Sequence, residues 1–370
     1  MSDQPVIFEY LPTACGKRIG VARLNAEKSL NALNLAMIDA LHAQLKAWEH
    51  DGTVVAVWLE GAGEKAFCAG GDVVALHAGS AAYGEALPDN SAQTFFEREY
   101  RLDHYLHVYT KPLIVWGSGI VMGGGMGLLC GAPVRLVTET TRMAMPEITI
   151  GLFPDVGGSY FLSRTPGQAG LFLGLTGAQF NATDALYLGF ADGFVPQGEK
   201  FALLNHLSAA KSWAKDDVFQ HLLSFCNQFS EQKPKAQVEP HQAHIDTVCK
   251  GDKLLSIIEA ITGYQGEDEW LTRAAKTLAR GCPVTPFLVQ QQLQRAAGLS
   301  LAEVFRMELI MAVNSARLGH FKEGVRALLI DKDRKPQWVP ATFAEVEADH
   351  IKAFFEAPFA PDQPHPLADL

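Results

Sequence analysis

Two carboxylates stand eight positions apart in Met145-Pro146-Glu147-Ile148-Thr149-Ile150-Gly151-Leu152-Phe153-Pro154-Asp155-Val156-Gly157-Gly158-Ser159. Most Asp and Glu side chains are solvated surface groups. These two are flanked by apolar residues and glycines instead. Burial raises a carboxyl's pKa, and a second carboxylate nearby raises one of the pair further. Such a pair fits a helix cap or a working acid and base. This stretch alone leaves both open.

Two glycine-rich stretches could bind negative charge. In Ala66-Phe67-Cys68-Ala69-Gly70-Gly71-Asp72 a strand runs through glycines into a helix, which exposes backbone N–H groups at the helix start. A tight strand-to-helix turn would read the same way. Gly117–Gly127 contains three consecutive glycines, Gly123, Gly124 and Gly125. Each costs about 1 kcal/mol inside a helix relative to alanine. At a helix start they let a ligand approach closely, because no Cβ intervenes; tight helix packing is the alternative. Neither stretch is a GxxxxGK[ST] phosphate loop or a spaced GxGxxG.

Other signals are weaker. No GxSxG occurs, so a serine nucleophile elbow is unsupported. Cys68 reads as a small packed residue rather than a nucleophile. His104/His107 and His241/His244 have HxxH spacing without HExxH or cysteine partners, so no metal site is expected.

The elements that must carry these residues follow from periodicity. Val6–Leu11 and Arg18–Leu24 read as a hairpin. Asn34 reads as the N-cap of a helix with Ile38, Leu41, Leu45 and Trp48 on one face. Val54–Leu59 is a buried strand, and Asp72 opens a short helix. Residues 79–94 are small and polar and read as a mobile loop. Phe95–Tyr109 is helical, Leu113–Ser118 a strand, and Gly123–Leu129 starts another helix. Val134–Val137 and Met143–Met145 are strands, and Gly151–Gly158 is a loop. Strands and helices alternate to about residue 200, an α/β pattern. Beyond it helices dominate, interrupted by the polar Ser230–Gln242. Phe343–Phe355 reads as one helix, with Thr342 and Glu345 at capping-box spacing. The tail Ala357–Leu370 is proline-rich and reads as loose.

Composition bounds the classes. The 370 residues are 48% hydrophobic and 19% charged, enough apolar mass for a large core. The net charge of -10 argues against nucleic-acid binding, which needs a basic footprint. It leaves room for an anionic small molecule, since local potential differs from the total. No apolar run approaches the about 20 residues of a membrane span, and no secretory leader is read at the start. Six scattered cysteines without CxxC pairs fit reduced thiols, so a cytoplasmic location is expected.

The motifs, taken in this order, resemble the crotonase (enoyl-CoA hydratase/isomerase) superfamily. The resemblance begins at Leu24-Asn25-Ala26-Glu27-Lys28-Ser29-Leu30-Asn31-Ala32-Leu33 and covers about residues 15–200. It implies an α/β fold, a crotonase-like spiral of ββα turns over residues 1–200 carrying a coenzyme A thioester site, followed by a mainly helical region over 201–370. It implies an oxyanion hole from the N–H groups of Gly71 and Gly124, one donor being worth about 3 kcal/mol of barrier. It places the CoA adenine end near Lys28, Leu30, Ala69, Asp72 and Val73.

Two-glutamate hydratases carry one acid three residues after the second oxyanion glycine. That position is Gly127 here; the other hydratase glutamate matches Glu147. The combination of Gly70-Gly71-Asp72, Pro146-Glu147 and Gly151–Gly158 resembles instead the branch that hydrolyses 3-hydroxyisobutyryl-CoA. Phe321–Asp333, with Pro336 and Trp338, is similar to the C-terminal segment of that branch, and Glu99 matches a substrate-contacting glutamate. Glu147 is then the nucleophile or general base, and Asp155 orients the substrate hydroxyl or shares the proton. An enoyl-CoA hydratase or isomerase using Glu147 alone, the hydratase disfavoured by Gly127, and a non-catalytic CoA-binding protein are the rival readings. The resemblance implies no cofactor beyond the substrate's own CoA and a homo-oligomer whose packing the longer C-terminal part can modify.

Overall fold

The computed structural model describes residues 4–81, 91–359 and 363–370. The chain forms two compact units. One comprises Met1–Gly71, Leu102–Met143 and Phe180–Glu239; the other comprises Asp72–Arg101, Ala144–Gln179 and Pro240–Leu370. In chain order the strands are β1 (Val6–Pro12), β2 (Arg18–Leu24), β3 (Val54–Gly61), β4 (Ala66–Cys68) and β5 (Leu113–Gly117). They continue with β6 (Ile120–Met122), β7 (Val134–Val137), β8 (Arg142–Ala144), β9 (Phe180–Asn181) and β10 (Gly193–Phe194).

In the first unit β1 and β2 form the expected antiparallel hairpin. Parallel pairing then extends it to a six-stranded sheet in the order β1-β2-β3-β5-β7-β10. Parallel strands buried on both faces read as continuous apolar runs; β5 is buried throughout. A smaller sheet, β4-β6-β8-β9, lies against β3 and β5 through β4. Trp58 and Trp116 stack at 5.7 Å in a core closed by Leu203, Leu207, Val218 and Leu222. The Leu35–His50 helix starts as expected: Asn34 Oδ1 accepts the Met37 N–H at 2.9 Å, and Ile38, Leu41, Leu45 and Trp48 are buried.

The second unit is helical. Among the described residues every element after β10 is a helix, but the two compact units are not divided near residue 200, and each draws on segments from both sides of that position. Of the loop expected over 79–94, residues 82–90 lie outside the described residues. Its flanks are helical: one helix runs Val73–Ala81 and the next starts at Ser91.

Two expectations fail in this unit. Phe343–Phe355 is not one helix but a 3₁₀ turn, Phe343–Glu345, and a separate helix, Ala348–Phe354. Glu345 accepts the N–H groups of Ala341 and Thr342, which closes a single turn, and extended backbone at Val346 and Glu347 ends it. Of the expected loose tail, residues 360–362 lie outside the described residues, and its end, 363–370, is not loose either. Leu367 is fully buried, Arg101 binds Asp369 and the Pro366 carbonyl, and Arg306 donates to the carbonyls of Leu367 and Leu370. Composition suggested a loose tail, but two arginines bind the carbonyls of Pro366, Leu367 and Leu370, and buried Leu367 anchors it.

Candidate active site

In the first unit the glycine stretches meet. The Leu33 N–H donates to Gly70 O at 2.8 Å, Leu33 and Gly71 form a parallel bridge, and the Ala69 N–H donates to Leu30 O at 3.0 Å. Leu30 and Ala69 are thus neighbours, with exposed Lys28 in the adjoining 3₁₀ turn Glu27–Ser29. A Cβ at Gly70 (φ +113°) would lie 3.8 Å from the Gly124 nitrogen. Gly124 opens the buried helix Gly124–Gly131, so its N–H has no partner within that helix. Gly125 has a packing role as well: a Cβ there would come within 2.2 Å of the Cys68 carbonyl oxygen. Gly127 is buried in the same helix. Asp72 and Val73 belong to the second unit, where Asp72 Oδ1 accepts the Ala75 N–H at 3.1 Å and caps the helix Val73–Ala81.

The acids belong to the second unit. Glu99 is 2% exposed, Glu147 and Asp155 4% each, and Glu308 0%. Glu99 and Tyr100 sit on the Ser91–Val108 helix, and Glu147 opens the 3₁₀ turn Glu147–Ile150. Gly281 and Gly324 let that turn seat closely: Cβ atoms there would lie 2.4 Å from the Ile148 side chain and 2.3 Å from the Ile150 carbonyl carbon. The Cys282 N–H also donates to Ile148 O at 2.9 Å. The Phe321–Asp333 segment singled out in the sequence is therefore part of the support beneath Glu147.

The Asp155 loop is held at successive points. Thr285 Oγ1 donates to Leu152 O at 2.6 Å, and Gln292 Nε2 donates to Pro154 O at 2.7 Å. Glu308 accepts the N–H groups of Gly157 at 2.7 Å and Ser159 at 2.8 Å. Between these points Val156 takes φ +53°, a left-handed conformation that a β-branched residue rarely adopts. Surroundings that over-determine the backbone can sustain such strain, and it concentrates at working sites.

Electrostatics separates the acids. Burial pushes Asp155 up to about 6, opposed by the Tyr100 hydroxyl, which donates to Asp155 Oδ2 at 2.7 Å, and by a backbone N–H. Burial and then the Asp155 charge hold Glu99 and Glu147 well above the carboxylate range. Burial pushes Glu308 up to about 8 against its N–H donors, and Asp155 adds to the rise. Burial and the neighbouring acids raise Tyr100 well above the usual phenol, so it stays a donor. Glu147 Oε2 and Glu99 Oε1 are buried and find no hydrogen-bond partner among the described residues. Unpaired buried oxygens are costly, and at a working site they mark positions for ligand or water.

The structure brings Glu99, Glu147 and Asp155 together and adds Tyr100 and Glu308, which the sequence did not single out. The Tyr100 signal was its place beside Glu99; Glu308 is a lone acid in a helical pattern and gave none. The HxxH pairs have other engagements. His107 is pushed down to about 4 by burial, and His241 stacks on Trp270 and meets Asp268 at 3.2 Å. Among the described residues no three His, Cys, Asp or Glu side chains converge as a metal site, and no helix is long and apolar enough to cross a membrane.

Residues 19–355 match the enoyl-CoA hydratase/isomerase family, and the chain belongs to that family. The chain is 40% identical to "3-hydroxyisobutyryl-CoA hydrolase, mitochondrial" of Danio rerio, over 95% of this chain and 89% of that protein. It is 38% identical to the protein of the same name from Gallus gallus, over 91% of this chain and 86% of that one. Among solved structures, a carnitinyl-CoA dehydratase from Mycobacterium thermoresistibile superposes with a TM-score of 0.84 at 35% identity, over 97% of this chain and 98% of the other. The α/β crotonase fold with a helical C-terminal region is thus the fold of this chain.

Proposed function

We propose that this chain hydrolyses the thioester of a short-chain 3-hydroxyacyl-CoA, 3-hydroxyisobutyryl-CoA foremost, to the free hydroxy acid and CoA, as a step of valine breakdown. The observation that carries this is Glu147, a buried carboxyl with an unpartnered oxygen, held well above the carboxylate range by burial and by the charge of Asp155. The names of the 38% and 40% identical relatives support the substrate class.

In this reading the N–H groups of Gly71 and Gly124 take the charge that builds on the thioester oxygen. Glu147 and Asp155 hold one negative charge between them at neutral pH and titrate as a pair. With that charge on Glu147, its oxygen attacks the carbonyl carbon and CoA leaves as thiolate, giving a mixed anhydride that water hydrolyses. Alternatively Glu147 takes a proton from the attacking water. Asp155 accepts the hydrogen bond of the substrate's 3-hydroxyl, and the protonated Glu99 donates to that hydroxyl's oxygen. Lys28, Leu30, Ala69, Asp72 and Val73 contact the adenine end of CoA, which is the only cofactor-like group required. A cytoplasmic location belongs to this proposal; the relatives' names place those proteins in mitochondria, and cell fractionation decides.

The second reading is a hydratase or dehydratase, favoured by the name of the 35% identical structure. Gly127, at the position of the second hydratase acid, weighs against it, since a glycine moves no proton. The discriminating experiment mixes purified protein with 3-hydroxyisobutyryl-CoA and, separately, crotonyl-CoA, following free thiol and the enoyl chromophore. Thiol release from the hydroxyacyl substrate alone supports the hydrolase. Loss of the chromophore without thiol supports the hydratase.

A further inference from the structure

We propose that Glu308 is a positioning residue of this site: reaching from the Leu301–Arg317 helix, its carboxyl group grips the N–H groups of Gly157 and Ser159 and fixes the backbone that presents Asp155 to Tyr100. The inference rests on reading Glu147 and Asp155 as the working pair.

The geometry is specific. The two Glu308 oxygens take one N–H each, on either side of Gly158, whose own N–H closes onto the Asp155 carbonyl at 2.7 Å. Phe305, one turn earlier on the same helix, meets the Tyr100 ring at 5.9 Å between centroids and would lie 3.3 Å from a Cβ at Gly157. One helix face thereby sets both the Asp155 loop and the phenol that donates to Asp155. Glu308 is fully buried, and no surface role explains a carboxyl there. The strained Val156 lies between Asp155 and the gripped N–H groups, so the conformation that carries Asp155 is held open at its far end by Glu308.

The titratable groups facing Asp155 are Glu99 and Tyr100 from the Ser91–Val108 helix, Glu147 from its 3₁₀ turn and Glu308. Burial pushes Glu308 up to about 8 and Asp155 to about 6, and the Asp155 charge adds to the rise of Glu308. Any negative charge on Glu308 opposes ionisation of Asp155, so its loss alone would move the acid limb of the pH–rate profile down. An upward movement of that limb therefore reports geometry.

Glu308→Gln keeps the shape but sets an NH₂ against one of the two N–H donors. That bond is lost, the loop slips, and the contact between Tyr100 and Asp155 loosens. The acid limb of kcat/KM then moves up by about half a pH unit to one unit. Below the limb, at about pH 5, kcat/KM falls about three- to tenfold, the fold-change of that shift, and the same change in an Asp155→Asn background costs less than about twofold, because the residue acts through Asp155. Amide exchange at Gly157 and Ser159 accelerates in Glu308→Gln, a readout that needs no turnover. An unmoved limb, an equal loss in both backgrounds, or unchanged exchange at both amides overturns the proposal. Accelerated exchange in a protein that releases no thiol from any 3-hydroxyacyl-CoA refutes the hydrolase reading and leaves the grip standing.

Discussion

Tyr100→Phe removes one atom and leaves the ring in place. Its hydroxyl donates to Asp155 Oδ2 at 2.7 Å, both residues being buried where water cannot substitute. A hydrogen bond to a charged group in such a place is worth about 1.5–3 kcal/mol. At 1.36 kcal/mol per pH unit this corresponds to about one to two units. The sign follows from which form is stabilised. The hydroxyl favours the ionised carboxylate, so its loss raises the pKa of Asp155 above its present value of about 6. The first ionisation of the Glu147–Asp155 pair then occurs at higher pH, and the acid limb of kcat/KM moves up by the same about one to two units. The assay is thiol release from 3-hydroxyisobutyryl-CoA between pH 5 and 9, corrected for spontaneous hydrolysis. The variant is slow at pH 6–7 and recovers in alkali. A uniform loss at every pH, with the limb in its original place, refutes the argument: the hydroxyl would then be serving orientation or packing rather than the charge on Asp155.

Glu147→Gln keeps volume and burial while removing the group that attacks or takes the proton. Turnover falls by about a hundredfold to ten-thousandfold with unfolding unchanged in urea, and near-normal activity sinks the assignment. Gly125→Ala drives a methyl group into the Cys68 carbonyl and destabilises the protein by about 1–3 kcal/mol or more, measured by urea unfolding. A cost below about 1 kcal/mol would show that the Gly124–Gly131 helix is not seated backbone to backbone on β4. Leu367→Ala opens a cavity under the tail and costs about 2–5 kcal/mol; an unchanged unfolding midpoint would return the tail to the loose state its composition suggested.

The parts legible in the sequence were those with a local physical signature. The hairpin, the Asn34 cap and the Leu35–His50 face came from periodicity and capping chemistry, which act within a few residues. Glu147 and Asp155 stood out because carboxylates among apolar residues and glycines are unusual. Tyr100, Glu308, Gln292 and Thr285 were not legible. Their work is done over separations of 55 to 151 residues, and nothing in their local sequence distinguishes them from ordinary helix residues. The tail misled for the same reason. Prolines predict little local order, whereas its anchors, Arg101 and Arg306, lie far back in the chain. The break at Val346–Glu347 was hidden by a capping box that is real but closes one turn only.

That anchored tail ties together the two helices that carry Glu99 and Glu308. Arg101 follows Glu99 by two positions, and Arg306 precedes Glu308 by two; both arginines hold residues 366–370. A cut in the chain before Pro366 takes the Pro366, Leu367, Asp369 and Leu370 contacts from both helices at once. Thioester cleavage is accordingly expected to be sensitive to proteolysis at a bond far in sequence from any of the acids.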